Sequence, residues 1–149
     1  MPIYIKKLCL PFFLVSLYCV NCYALVSPTP EGSYVFSQQG EQLIDGSNAS
    51  ITWRFIFNQD KHTAEVKISS WHAPYTCQGE YFYEKKGNEL NLIWNANKSP
   101  EEECETPAPQ FIIKHDDKDR LLIKSKLFPW PVKDWEQLKE INHGNSIHR

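Results

Sequence analysis

Apolar residues recur at every second position along most of this chain, the spacing of half-buried β-strands. Tyr34 and Phe36 begin the pattern. Ile51, Trp53, Phe55 and Phe57 share one face of a second run, with Ser50, Thr52 and Arg54 opposite. Ala64, Val66 and Ile68 alternate with Glu65, Lys67 and Ser69. Cys77, Gly79, Tyr81 and Tyr83 alternate with Gln78, Glu80, Phe82 and Glu84. Leu90, Leu92 and Trp94 form a fifth run, Phe111 and Ile113 a sixth, and Leu121, Ile123 and Leu127 a seventh.

The breaks Asn58-Gln59-Asp60-Lys61, Lys85-Lys86-Gly87-Asn88 and Asp116-Asp117-Lys118-Asp119 have the length and residue types of hairpin turns. Strands joined this way pair with their sequence neighbours, and no long amphipathic helix is available for parallel crossovers. The pattern therefore predicts a mainly β protein, an antiparallel meander that curls into a small barrel or half-barrel. A two-sheet sandwich is the alternative.

Two stretches depart from the rhythm. Residues 95–109 are acidic and proline-bearing, with Glu101, Glu102, Glu103 and Glu105 around Cys104, and read as a solvated loop. Phe128-Pro129-Trp130-Pro131 ends the last strand. Beyond it, Asp134 and Gln137 approximate a capping box, and Trp135, Leu138 and Ile141 fall on one side of a short helix. That C-terminal helix is expected to pack on the sheet or close an open end of the barrel. Residues 143–149 read as a flexible tail.

The N-terminus changes the arithmetic of charge and cysteine. Lys6 and Lys7 precede an apolar run from Leu8 to Val20, and Cys22-Tyr23-Ala24 supplies small residues at a cleavage position. This is the grammar of a secretory signal, cut after Ala24. The run is too short to span a bilayer, Pro11 interrupts it, and neither Cys19 nor Cys22 follows the small residue that lipid attachment needs. Removing residues 1–24 leaves 125 residues, a net charge of −4 and two cysteines, Cys77 and Cys104. In an exported chain these most simply form one disulfide, with two free thiols as the alternative. Residues 25–31 are then a short leader, and 32–142 a single β domain. The expected location is the periplasm or the extracellular medium, and one disulfide with small size favours bacterial export. Asn48-Ala49-Ser50 and Asn97-Lys98-Ser99 match the glycosylation sequon, which carries meaning only in a eukaryotic secretory pathway.

Gly32-Ser33-Tyr34 at the start of the first strand, with a meander and a late helix after it, resembles the plan of small lipocalin-like (calycin) exported barrels. Those open with a Gly-x-Trp element, and Tyr34 stands here in place of the tryptophan. The resemblance implies an extracytoplasmic binder more often than a catalyst, and it transfers no binding residue.

Chemical signatures are sparse. A sequence pI of about 6.2 without a basic cluster leaves no electrostatic footprint for nucleic acid. No Gly-x-Ser-x-Gly occurs, and oxidised cysteines cannot act as nucleophiles. His62, His72, His115, His143 and His148 lack metal-ligand spacing, and the glutamates around Cys104 lack the pattern of a calcium loop. No catalytic residue, metal or cofactor is expected. Trp71, His72 and Tyr75 lie in an aromatic segment beside Cys77, and Phe82 lies on the polar side of its strand. Exposed aromatic residues anchor partners. The competing reading buries them in a small cluster with Trp130 and Trp135 under the C-terminal helix. Together these features favour a non-catalytic exported protein that binds another protein, as an inhibitor, an immunity protein or an envelope accessory. A basic partner would complement the acidic mature chain. A small apolar ligand held inside the barrel is the alternative, and a hydrolase with a site assembled across strands the remaining one.

Overall fold

Seven strands follow one another by hairpins in the computed structural model, which describes residues 29–99 and 103–141. The predicted signal segment and the tail lie outside the described residues. The strands are β1 (Gly32–Gln42), β2 (Asn48–Asn58), β3 (Thr63–Trp71), β4 (Gly79–Lys86), β5 (Glu89–Trp94), β6 (Phe111–His115) and β7 (Leu121–Ser125). Each pairs antiparallel with the next. All seven apolar runs of the sequence thus become strands, and the three predicted hairpins lie where the turn residues put them.

The expected C-terminal helix does not form. Its segment supplies β8 (Glu136–Gln137) and β9 (Lys139–Glu140), and among the described residues the only helical element is one 3-10 turn, η1 (Ala96–Lys98). β8 pairs with β7 and β9 pairs with β1, so the two ends of the sheet meet across one five-residue stretch. Leu138, between them, donates its N–H to the Leu121 carbonyl at 2.8 Å, and Ile141 donates to Ser33 at 2.8 Å. The physical reason is competition for hydrogen bonds. An isolated helix this short is marginal, whereas two open sheet edges offer unpaired N–H and C=O groups. The segment therefore acts as an eighth strand that bridges the sheet's two edges and nearly closes the barrel, instead of a helix packed on the sheet or capping an open end.

The inward residues of the seven runs fill the interior. Trp53, Phe55, Tyr81, Leu92, Phe111, Ile113 and Ile123 are all buried. Phe55 of β2 and Phe111 of β6 belong to opposite walls, yet their ring centroids are 5.1 Å apart, edge to face. Tyr81 of β4 reaches Phe111 at 5.4 Å. One end of the barrel is plugged by Phe128, 4.7 Å from Phe36 and 4.9 Å from Trp53 between ring centroids. The next residues lie against β1, where the indole of Trp130 occupies the space beside Gly40. A Cβ there would come within 1.9 Å of the ring, so glycine is the residue that admits it. Gln38 Nε2 donates to the Trp130 carbonyl at 2.9 Å.

Phe111→Ala removes the ring that bridges the walls and should lower unfolding free energy by about 3–5 kcal/mol in urea titrations. Asp116 should titrate at about 2 by NMR, because the Arg120 side chain, and then backbone N–H groups of Arg120 and Lys118, hydrogen-bond its carboxylate. A depressed carboxyl stabilises the folded state above its ordinary pKa, and that contribution fades as pH falls from about 4 towards 2. Asp116→Asn should therefore weaken the β6–β7 turn at neutral pH and change little below pH 2.

Candidate functional site

The two ends of the barrel differ. At one end lie the tight turns β2–β3, β4–β5 and β6–β7, with the buried Pro30 of the leader beside them. At the other lie the β1–β2 turn, the β3–β4 loop, the long β5–β6 connection and the segment after β7. Trp71, His72 and Tyr75 all sit at this second end.

Cys77 and Cys104 form the predicted disulfide, with Cα atoms 4.6 Å apart. It ties the β3–β4 loop to the β5–β6 connection. Further bonds brace the same loops. The Ser70 hydroxyl hydrogen-bonds to both the N–H and the carbonyl of Ala73, which is buried. Tyr81 Oη donates to the Cys77 carbonyl, and Gln78 Oε1 accepts from Ile68 N at 2.7 Å. On the β5–β6 side, Asn95 Oδ1 caps η1 and its Nδ2 donates to Glu80 Oε1 at 2.9 Å. Gln110 Oε1 accepts from Trp94 N, and Gln110 Nε2 donates to Thr106 O, both at 2.9 Å.

Trp71 is 53% exposed and Tyr75 49%. Trp71 stands edge-on to His72, ring centroids 4.5 Å apart, and its Nε1 donates to Ser47 Oγ at 3.3 Å, which links the β3–β4 loop to the β1–β2 turn. That turn presents Ile44, fully exposed. The reading that buried Trp71 under a helix with Trp130 and Trp135 does not hold. The helix is absent, Trp130 packs on β1, and Trp135 lies on the outer wall with the ammonium groups of Lys114 and Lys124 4.1 and 4.3 Å from its ring. Phe82 is also exposed, but it sits mid-strand on the outer wall between Thr63 and Ile93, away from the other three.

Between Pro74-Tyr75-Thr76 and Lys126-Leu127-Pro129 opens a cleft of about 270 Å³, floored by Ile51 and Trp53. Acidic groups mark the same end. Hydrogen bonds from the Ser47 hydroxyl and N–H, with a smaller contribution from His72, hold the Asp45 carboxyl below the usual range. Glu103 and Glu105 flank Cys104 and are exposed. Among the described residues, no group of three or more His, Cys, Asp or Glu converges on a point where a metal could bind.

Sequence reasoning found Trp71, His72 and Tyr75 but not Ile44 or the Lys126–Pro129 wall. An apolar pair, Leu43-Ile44, inside an Asp-Gly turn was the available signal for the first. The second depends on how the chain turns after β7, which no local pattern encodes. No family model, curated protein or solved structure matches the chain.

Replacing both cysteines by serine should cost about 3–4 kcal/mol, the loop-closure value for this separation. Amide exchange should then accelerate in residues 72–78 and 103–110, while β1–β3 stay protected.

Proposed function

We propose that this protein is an exported, non-catalytic binding protein that docks another protein on the disulfide-braced end of its barrel. The observation that carries the reading is the exposure of Trp71, the last residue of β3, and of Tyr75 in the loop after it, whose backbone is held by a disulfide and by part-buried hydrogen bonds. Large apolar rings held rigidly in water lose little conformational freedom when a partner covers them, which is the character of an interface anchor. Ile44 and the cleft beside Tyr75 extend the patch. Asp45, beside Ser47 and His72, and Glu103 and Glu105, on either side of Cys104, give this end three acidic groups against Lys126, which favours a basic partner and salt-sensitive association.

Export rests on the signal-like residues 1–24 and on the disulfide, a bond that persists in oxidising compartments. Among the described residues no helix is long and apolar enough to cross a membrane. Storage of an apolar ligand inside the barrel is the weaker reading, because rings from opposite walls meet where such a ligand would lie.

The test is retention of a partner from the protein's own envelope or medium on immobilised residues 25–149. One dominant basic protein should bind at low salt and elute as salt rises. The double substitution Trp71→Ala, Tyr75→Ala should weaken it by at least about 2 kcal/mol, and Phe82→Ala should leave it unchanged. Equal binding by the double variant, or no retention at low salt, defeats the proposal.

A further inference from the structure

A second concavity lies outside the barrel, on the outer wall of β6 and β7. The strap of residues 132–134 leaves that wall and returns across it, enclosing a groove of about 420 Å³. Its apolar surface comes from Ala108, Pro109, Ile112 and Val132, and its cations are Lys124, Lys126 and Lys133. Ile112 and Lys124 are direct cross-strand partners, so apolar and cationic residues adjoin on this wall. Asp134 is the one acid at the groove.

The three lysines are not equivalent. Lys124 is already engaged, 3.8 Å from Glu89 and 4.3 Å from the Trp135 ring. That ring also receives Lys114 and so anchors the strap that makes the groove's far wall. Lys126 and Lys133 are exposed, and among the described residues neither has a carboxylate within 4.0 Å. On a chain of net charge −2, two uncommitted cations beside an apolar trough form a local reversal of sign. The volume falls in the range of about 300–1,000 Å³ typical of small-molecule sites, which combine an apolar lining with a few polar anchors.

We propose that this outer groove binds a free single-chain amphiphilic anion, with its alkyl chain on Ile112 and Val132 and its carboxylate between Lys126 and Lys133. Each element has a physical role. The trough removes the chain from water, and the unpaired ammonium groups form charge-assisted hydrogen bonds to the head. The groove shares only Lys126 with the cleft at the braced end and contains neither Trp71 nor Tyr75, so decanoate binding and protein docking are told apart by Lys133, Ile112 and Trp71.

Decanoate is the probe, added to the folded mature protein and followed by methyl and amide chemical shifts. Shifts should concentrate at Ile112, Ser125, Val132 and Lys133. Decyl maltoside, which has the chain without the charge, and butyrate, which has the charge without the chain, should each bind about tenfold more weakly or not at all. Lys126→Glu with Lys133→Glu should weaken decanoate about tenfold or more at unchanged Tm, and Ile112→Ser should also weaken it. Trp71→Ala should leave decanoate binding intact. Shifts centred on Trp71 and Tyr75, indifference to the lysine substitutions, equal binding of decyl maltoside, or retention on phosphatidylglycerol vesicles without binding of free decanoate would each overturn the assignment.

Discussion

The edge-to-face contact between Phe55 and Phe111 is the constraint on which the rest of the molecule depends. It joins opposite walls of a barrel at a centroid distance of 5.1 Å. Rings that meet across the axis turn a curved sheet into a packed core, and Tyr81, Trp53 and Phe128 extend the contact towards one end. A sheet that buries its concave face this way leaves no lumen at the level of the rings. An apolar ligand at that level would have to displace the rings.

Closure follows from the same packing. With the inward faces of seven strands gathered around one aromatic stack, the free edges of β1 and β7 are brought near each other, and residues 136–140 bridge them. Leu138 points into the core while its neighbours supply main-chain bonds to both edges. The chain reaches that position by crossing the mouth, where Phe128 enters the core and Trp130 rests on Gly40. The return path creates both concavities, the cleft beside Tyr75 and the groove under the strap. The disulfide acts at the same end, holding loops that the strand ladder alone would leave loose.

Much of this was legible in the residue order. Alternation of period two placed every long strand, because a half-buried strand must present apolar groups on one face only. Three hairpin turns were marked by Asn, Asp and Gly, and the pairing of Cys77 with Cys104 was the simplest expectation once residues 1–24 were read as a removed signal. Trp71 and Phe82 were marked as candidates because parity puts them on the polar side of their strands, and Tyr75 because it lies in the aromatic segment beside Cys77. The failure came at residues 134–141. Spacing of three between Trp135, Leu138 and Ile141 suits a helical face, yet it equally lets successive members fall on opposite sides of a strand.

Local order therefore determined the strands, their turns and the staple, since these depend on neighbouring residues and on side-chain parity. Tertiary structure decided the rest. Whether the barrel is hollow depends on rings from β2 and β6 meeting across a diameter. Whether a short C-terminal segment is helix or strand depends on two distant edges that compete for its hydrogen bonds. Whether Trp71 is covered depends on where that same segment goes. Each is a long-range question, settled by groups far apart in sequence that share one small volume.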